Sequence, residues 1–127
     1  MHPTSQRQVG DELSTTEFQL LTMLCAGQDS RFVQARAQLE RAYWAGNQIA
    51  DCACPLIGVT GKTSLTPIKF GGGPFATLEA IREGEGVGLV HLWVVDGFLH
   101  SVDYIPHDND EIHDVLPDPG TYTFEAV

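Results

Sequence analysis

The sequence has few basic side chains, and this scarcity limits what the protein can bind. Seven Lys and Arg stand against 17 Asp and Glu in 127 residues, which gives a formal net charge of −10. Neutralising the phosphates of a nucleic acid requires a face of clustered Lys and Arg, and so few cations can hardly supply one. The composition therefore argues against a nucleic-acid binder and favours a basic partner.

Long hydrophobic runs and a cysteine framework are also missing. The longest mostly apolar run, residues 87–95, is far shorter than the roughly 20 residues of a membrane-spanning helix. Residues 1–10 are polar and lack the apolar stretch of a secretory signal. Three cysteines with one close pair do not match a disulfide-rich secreted domain. We therefore expect a cytoplasmic protein with reduced thiols.

Two helices are predicted near the N-terminus. Ser14 and Glu17 form the spacing of a capping box, and Gly27 is typical of the residue after a helix end. The apolar face of this helix comprises Phe18, Leu21, Leu24 and Cys25. Asp29 or Ser30 begins a second helix that ends at Gly46-Asn47. Its apolar positions are Phe32, Ala35, Leu39, Ala42 and Tyr43. The short connection predicts an antiparallel helical hairpin.

Strands are predicted for the rest of the chain. Residues 49–53, 55–59, 75–82 and 121–125 have strand patterns, whereas Pro67 allows only an edge strand or a loop over residues 64–70. The order of elements predicts one α+β domain over residues 1–127, with residues 1–12 flexible. In this fold the helical hairpin packs on one face of an antiparallel sheet of about five strands.

The clearest element is a β-hairpin over residues 87–105. Asp96-Gly97 between two β-rich runs predicts a type I′ turn, with Val95 opposite Phe98. Counting outward places Trp93 opposite His100. The mostly aliphatic face, expected to pack on the helices, comprises Val90, Leu92, Val94, Leu99, Ser101, Asp103 and Ile105. The aromatic face comprises Leu89, His91, Trp93, Val95, Phe98, His100, Val102 and Tyr104.

The negative charge is concentrated in the second half of the chain. Residues 64–127 hold two basic and eleven acidic side chains, a net charge of −9, and no Lys or Arg follows Arg82. Much of this charge lies in residues 106–120, which are acidic and rich in turn residues. Such a region is either a solvated surface that keeps the protein soluble or a docking surface for a cationic partner.

The residues that could carry chemistry leave alternatives open. In an extended segment Cys52 and Cys54 point to one side, where they are either half of a zinc site or two structural thiols. A complete zinc site would need ligands such as His91, His100 or Cys25. The two histidines have either an acid/base or metal role, or they pack among aromatic side chains. Because no recognisable nucleophile or phosphate-binding motif is present, we expect no catalytic residue, metal or cofactor.

Several segments together resemble a small uncharacterised bacterial α+β family. They are the helical hairpin, the Cys-x-Cys-Pro strand at residues 51–55, the Val-Val-Asp-Gly hairpin at 92–99, Asp103-Tyr104, and Leu-Pro-Asp-Pro at 116–119. Members often carry a third cysteine two residues before the pair, where Ala50 stands here. This family implies no activity. In size, acidity and architecture the chain also resembles the immunity proteins of bacterial toxin systems such as contact-dependent growth inhibition.

These observations predict a non-enzymatic immunity (antitoxin) protein that binds and neutralises a basic toxin domain, such as a nuclease. The acidic side chains expected to contact the toxin are Asp103, Asp108, Asp110, Glu111 and Asp114, and the expected anchors are Trp93, His100 and Tyr104. The alternative is a small metal-binding or ligand-binding domain that uses Cys52, Cys54 and histidines. An enzyme using His91, His100 and Asp103 is a third hypothesis, with no supporting constellation in the sequence.

Overall fold

A computed structural model describes residues 7–48, 54–107 and 115–127. Two helices precede a six-stranded antiparallel sheet, which confirms the predicted α+β class. The elements are α1 Thr15–Leu24, α2 Ser30–Leu39, β1 Ala42–Asn47, β2 Pro55–Val59, β3 Ala76–Arg82, β4 Glu85–Val95, β5 Phe98–Pro106 and β6 Thr123–Ala126. The strand order is β1-β2-β5-β4-β3-β6. In the described ranges, no helix is long and apolar enough to span a membrane.

Both helices begin as predicted. The Ser14 hydroxyl accepts a hydrogen bond from the Glu17 N–H at 3.1 Å, and the Glu17 carboxylate accepts one from the Ser14 N–H at 2.9 Å. Asp29 caps α2 by accepting from the Arg31 N–H at 2.9 Å. These side chains satisfy N–H groups that have no partner within the helix.

The predicted end of the second helix was wrong. α2 ends at Leu39, and the residues expected to form its last turn are the strand β1, which pairs with β2. The four-residue interval from Leu39 to Tyr43 imitates helical spacing, but Trp44 is buried and lies opposite Ile57. Aromatic side chains favour strands, but over so short a stretch the sequence fits a helix and a strand equally well. Pairing with β2 stabilises the strand.

Residues 7–11 lie along the outer edge of β1. Trp44 donates its N–H to the Asp11 carbonyl at 2.8 Å and accepts from the Gly10 N–H at 2.9 Å. The Arg7 guanidinium stacks over the Trp44 ring at 4.3 Å and donates to both oxygens of Glu17, each at 2.8 Å. This segment belongs to the stretch for which we expected flexibility. Its contacts occupy the backbone groups of Trp44 that would otherwise be free at a sheet edge.

The β4–β5 hairpin has the predicted turn but not the predicted register throughout. Asp96 and Gly97 have φ angles of 53° and 85°, as a type I′ turn requires, and Val95 lies opposite Phe98. Beyond Leu99 the predicted register was wrong, because Trp93 lies opposite Ser101 instead of His100. His100 is thus the additional residue of a β-bulge, which reverses the alternation of every later residue in β5.

The reversed alternation changes which side chains enter the core. The helices pack on one face of the sheet, and β5 contributes Val102 and Tyr104 to that core where Ser101 and Asp103 were expected. Tyr104 lies across Gly88, at which a Cβ atom would approach the tyrosine ring to 2.6 Å. The predicted apolar face of α1 was wrong at one position. Phe18 is 49% exposed, and Leu20 is buried with the rest of that face.

Candidate functional site

The sheet face opposite the helices carries titratable and aromatic side chains that lie close together. We call it the outer face. Strand alternation places on it Tyr43, Leu56, Thr77, Glu79, Leu89, His91, Trp93, Ser101, Asp103, Ile105 and Glu125. Their neighbours along each strand, such as Leu78, Val90 and Val102, are buried on the helix side.

Three outer-face side chains form a connected cluster. The Trp93 indole N–H donates to Asp103 Oδ2 at 2.9 Å, and Asp103 Oδ1 lies 3.3 Å from His91 Nδ1. The His91 and Trp93 rings meet edge to face, with centroids 5.9 Å apart. The bulge at His100 creates this cluster, because it moves Asp103 from the predicted helix side to the outer face, opposite His91.

His91 and Asp103 lie directly opposite each other on β4 and β5, and both side chains are partly buried. The two side chains are 13% and 23% exposed, and the facing atoms Nδ1 and Oδ1 make no hydrogen bond within the described part of the chain. Ser101, on the same face of β5 as Asp103, has its Oγ 2.9 Å from His100 Nδ1, so its hydroxyl is engaged with another histidine.

The remaining predicted site residues do not all join this cluster. His100 is exposed at the bulge, and Tyr104 is buried on the helix side, 5% exposed. The outer face therefore holds Trp93 and Asp103 but not Tyr104. Four predicted acidic residues lie outside the described residues: Asp108, Asp110, Glu111 and Asp114.

The outer face is acidic. Glu79 and Glu125 lie directly opposite each other on β3 and β6, and Asp103 adds a third carboxylate. None of the outer-face residues named above is Lys or Arg. Lys62 contacts its end at the hairpin turn, 5.0 Å above the Phe98 ring, and His107 Nε2 lies 3.6 Å from Glu79 Oε2.

The cysteines do not form a reactive or metal-binding group in the described ranges. Cys25 is fully buried, and this burial raises the pKa of its thiol to about 12. A thiol of such high pKa is neither a nucleophile nor a ready metal ligand at neutral pH. Cys54 is also buried, and Cys52 lies outside the described residues. No group of three or more His, Cys, Asp and Glu that could hold a metal occurs in residues 7–48, 54–107 and 115–127.

The sequence did not predict the role of one buried polar residue, Gln38. Gln38 is completely buried, donates to the carbonyls of Thr66 and Gly97 at 3.2 and 2.9 Å, and accepts from the Leu99 N–H at 3.0 Å. Its side chain therefore joins α2 to the hairpin turn. The available signal was its position, because it interrupts the apolar stripe between Ala35 and Leu39.

Comparison of the chain with models of known protein families, with curated proteins and with solved structures finds no match. The resemblances inferred from the sequence remain predictions.

Proposed function

We propose that the protein is a non-enzymatic cytoplasmic immunity protein whose acidic outer face docks on a cationic toxin domain. The observation that carries this proposal is the negative charge of that face, which bears Glu79, Asp103 and Glu125, whereas Lys62 contacts it only at the hairpin end. Both helices pack on the opposite side of the sheet, so within the described ranges no helix covers the outer face. A toxin that binds phosphates would supply the complementary charge.

The cluster of His91, Trp93 and Asp103 supplies what a docking surface needs besides charge. The indole hydrogen bond to Asp103 holds both side chains in place before a partner arrives, so less side-chain entropy is lost on binding. Exposed apolar side chains flank the cluster, with Val95 47% and Ile105 49% exposed. An anchored Trp among acidic and apolar neighbours is typical of interface hot spots.

The direct test uses the product of the gene immediately upstream, because immunity genes lie beside the genes of their toxins. We expect the purified protein to bind that product and to protect cells that express it. Binding can be measured by calorimetry and protection by colony counts. A candidate toxin that neither binds nor is neutralised would contradict the proposal.

Charge reversal on the outer face should slow association. The double variant Glu79→Lys/Glu125→Lys converts the attraction of the face for a cation into repulsion, and we expect the association rate at low salt to fall about tenfold or more. The matched control is Glu12→Lys/Glu40→Lys, which makes the same net charge change at exposed positions off this face. Stopped-flow measurements over a salt series separate the two variants, since salt screens long-range steering. Equal rates for both would remove the outer face from the proposal.

A further inference from the structure

The two edges of the sheet differ in their availability. The edge at β1 is occupied at Trp44 by residues 7–11, as described above. At the other edge β6 pairs with β3 on one side, and no segment in the described residues pairs with its other side. Thr123, Glu125 and Ala126 are exposed. Among the described residues, the outward side of β6 is therefore an open edge of the sheet.

The backbone groups that face outward from β6 can be identified. Val127 donates its N–H to the Thr77 carbonyl at 3.1 Å, so Val127, and with it Glu125, turns its backbone polar groups toward β3. In an antiparallel ladder the intervening residues point the other way. The N–H and C=O groups of Phe124 and Ala126 thus face the open side, ready to pair with another strand.

An apolar cavity of about 280 Å³ lies beside the end of this edge, on the helix side of the sheet. Its lining includes Met23, Phe32, Phe75, Leu78, Ala126 and Val127. The cavity lies at the lower end of the roughly 300–1,000 Å³ of drug-sized ligand sites, and it has room for an apolar side chain. In a strand paired with β6, the residue opposite Ala126 would share its side of the sheet and point toward this cavity.

The charge of Glu125 favours a particular type of residue at the position opposite it on an added strand. Glu125 lies opposite Glu79, and like charges in direct cross-strand positions destabilise a sheet. His107 Nε2 lies 3.6 Å from Glu79 Oε2, whereas in the described residues no Lys, Arg or His side chain contacts Glu125. A Lys or Arg on an added strand opposite Glu125 would form an opposite-charge cross-strand pair on the outer face.

We propose that the β6 edge binds an extended, cationic peptide segment of another protein as an additional antiparallel strand. An apolar residue of the segment enters the cavity opposite Ala126, and the next residue, Lys or Arg, pairs with Glu125. Backbone hydrogen bonds to Phe124 and Ala126 provide affinity, and the cavity and the carboxylate provide specificity. Glu125 also belongs to the outer face, but the edge and the cavity define this site independently of the immunity function.

The test uses the full chain labelled with ¹⁵N and blocked synthetic pentapeptides. The probe Thr-Leu-Lys-Val-Thr has the proposed order, and Thr-Lys-Leu-Val-Thr has the same composition with the two key residues exchanged. We expect the probe to bind at least fivefold more tightly, and to shift and protect the amide protons of Phe124 and Ala126 from exchange. Equal affinity for the two peptides, or shifts confined to other residues, would overturn the proposal.

Two variants sharpen the result. Ala126→Pro removes an N–H that faces away from β3, so no bond to β3 is lost. An edge strand tolerates proline at such a position. The variant also leaves the charges of the outer face unchanged. We expect it to abolish peptide binding while toxin docking on the outer face persists, so the two proposals can fail separately. Glu125→Lys should weaken binding of the probe about fivefold and favour a peptide with Glu in place of Lys.

Sedimentation of the protein alone shows whether a second copy of this chain occupies the β6 edge. If the chain forms a dimer that Ala126→Pro converts to a monomer, a second copy fills the edge and the peptide proposal is overturned. A monomer that binds the probe supports it.

Discussion

The buried side chain of Gln38 links helix α2 to the loop at Thr66 and to the β4–β5 turn. Its amide group satisfies the Leu99 N–H and two carbonyls, while its helix contributes Ala35 and Leu39 to the core. A buried amide with each of its partners in place is stabilising, whereas its removal leaves those partners without hydrogen bonds.

Gln38→Ala is expected to destabilise the protein by about 3 kcal/mol. The variant leaves the Leu99 N–H and the Thr66 carbonyl without this partner and opens a small cavity. Urea unfolding measures the change. The matched control is Gln19→Ala on the exposed side of α1, which should alter stability by no more than about 0.5 kcal/mol. Similar values for both variants would show that the Gln38 network contributes little.

Cys25 is expected to resist thiol reagents in the folded state. Burial raises its pKa to about 12, so the reactive thiolate is scarce at pH 8 and the side chain is inaccessible. Because the folded-state pKa lies above that of the unfolded chain, this thiol favours folding fully below about pH 8.5, and that contribution is lost as pH rises toward 12.

Mass spectrometry after alkylation at pH 8 would show the Cys25 peptide unmodified in native protein and modified in urea. Cys25→Ala should reduce the loss of stability between pH 9 and 11. Rapid native labelling of Cys25 would contradict this assignment.

At the scale of elements, the bulge in β5 decides the composition of the outer face. With His100 as the additional residue, Ser101 and Asp103 point outward and Val102 points into the core. Without it, a regular register would place Asp103 against the helices and Val102 beside Trp93. The inserted residue therefore places Val102 in the core and the Asp103 carboxylate on the outer face.

Deleting His100 should preserve the fold, whereas deleting Val102 should not. Removal of the bulged residue joins Leu99 directly to Ser101 and keeps the later alternation, so we expect a loss of about 2 kcal/mol or less. Removal of Val102 moves Asp103 into the core position and should prevent stable folding. Thermal unfolding ranks the variants, and the indole N–H resonance of Trp93 reports whether Asp103 remains in place. Equal damage from both deletions would contradict this account of the register.

The same bulge marks the limit of what the sequence could predict. The N-terminal helix caps and the Asp96-Gly97 turn were predicted correctly, because each depends on residues within four positions of one another. The identity of the bulged residue depends on which side chains fit the core, and strand alternation alone does not show it. β1 was missed for a similar reason, since its pairing with β2 is a tertiary contact. The His91–Asp103 contact could not be predicted without the bulge.

At the scale of the whole molecule, the segment over residues 7–11 ties the first helix to the first strand. Arg7 pairs with the buried Glu17 carboxylate and stacks on Trp44, so one side chain contacts both elements. The hydrogen bond to Glu17 is the main cause that raises the pKa of Arg7. A buried carboxylate that loses such a partner is costly.

Removing residues 1–11 should therefore lower stability and promote association. We expect the truncated protein to unfold at a lower urea concentration and to form larger species as its concentration rises, which light scattering can follow. Arg7→Ala in the full chain is the control: it should destabilise through Glu17 but leave the backbone bonds of residues 10 and 11 to Trp44, and so cause no association. A truncated protein that remains as stable and monomeric as the full chain would contradict this role.

The asymmetry between the two sheet edges also bears on polymerisation. A sheet with two free edges can add copies of itself without end, as fibrils do, because each added copy presents a new edge. With the β1 edge occupied by residues 7–11, self-pairing through β6 would end after two copies. We therefore expect the N-terminal segment, through its bonds to Trp44, to prevent fibril growth at the β1 edge.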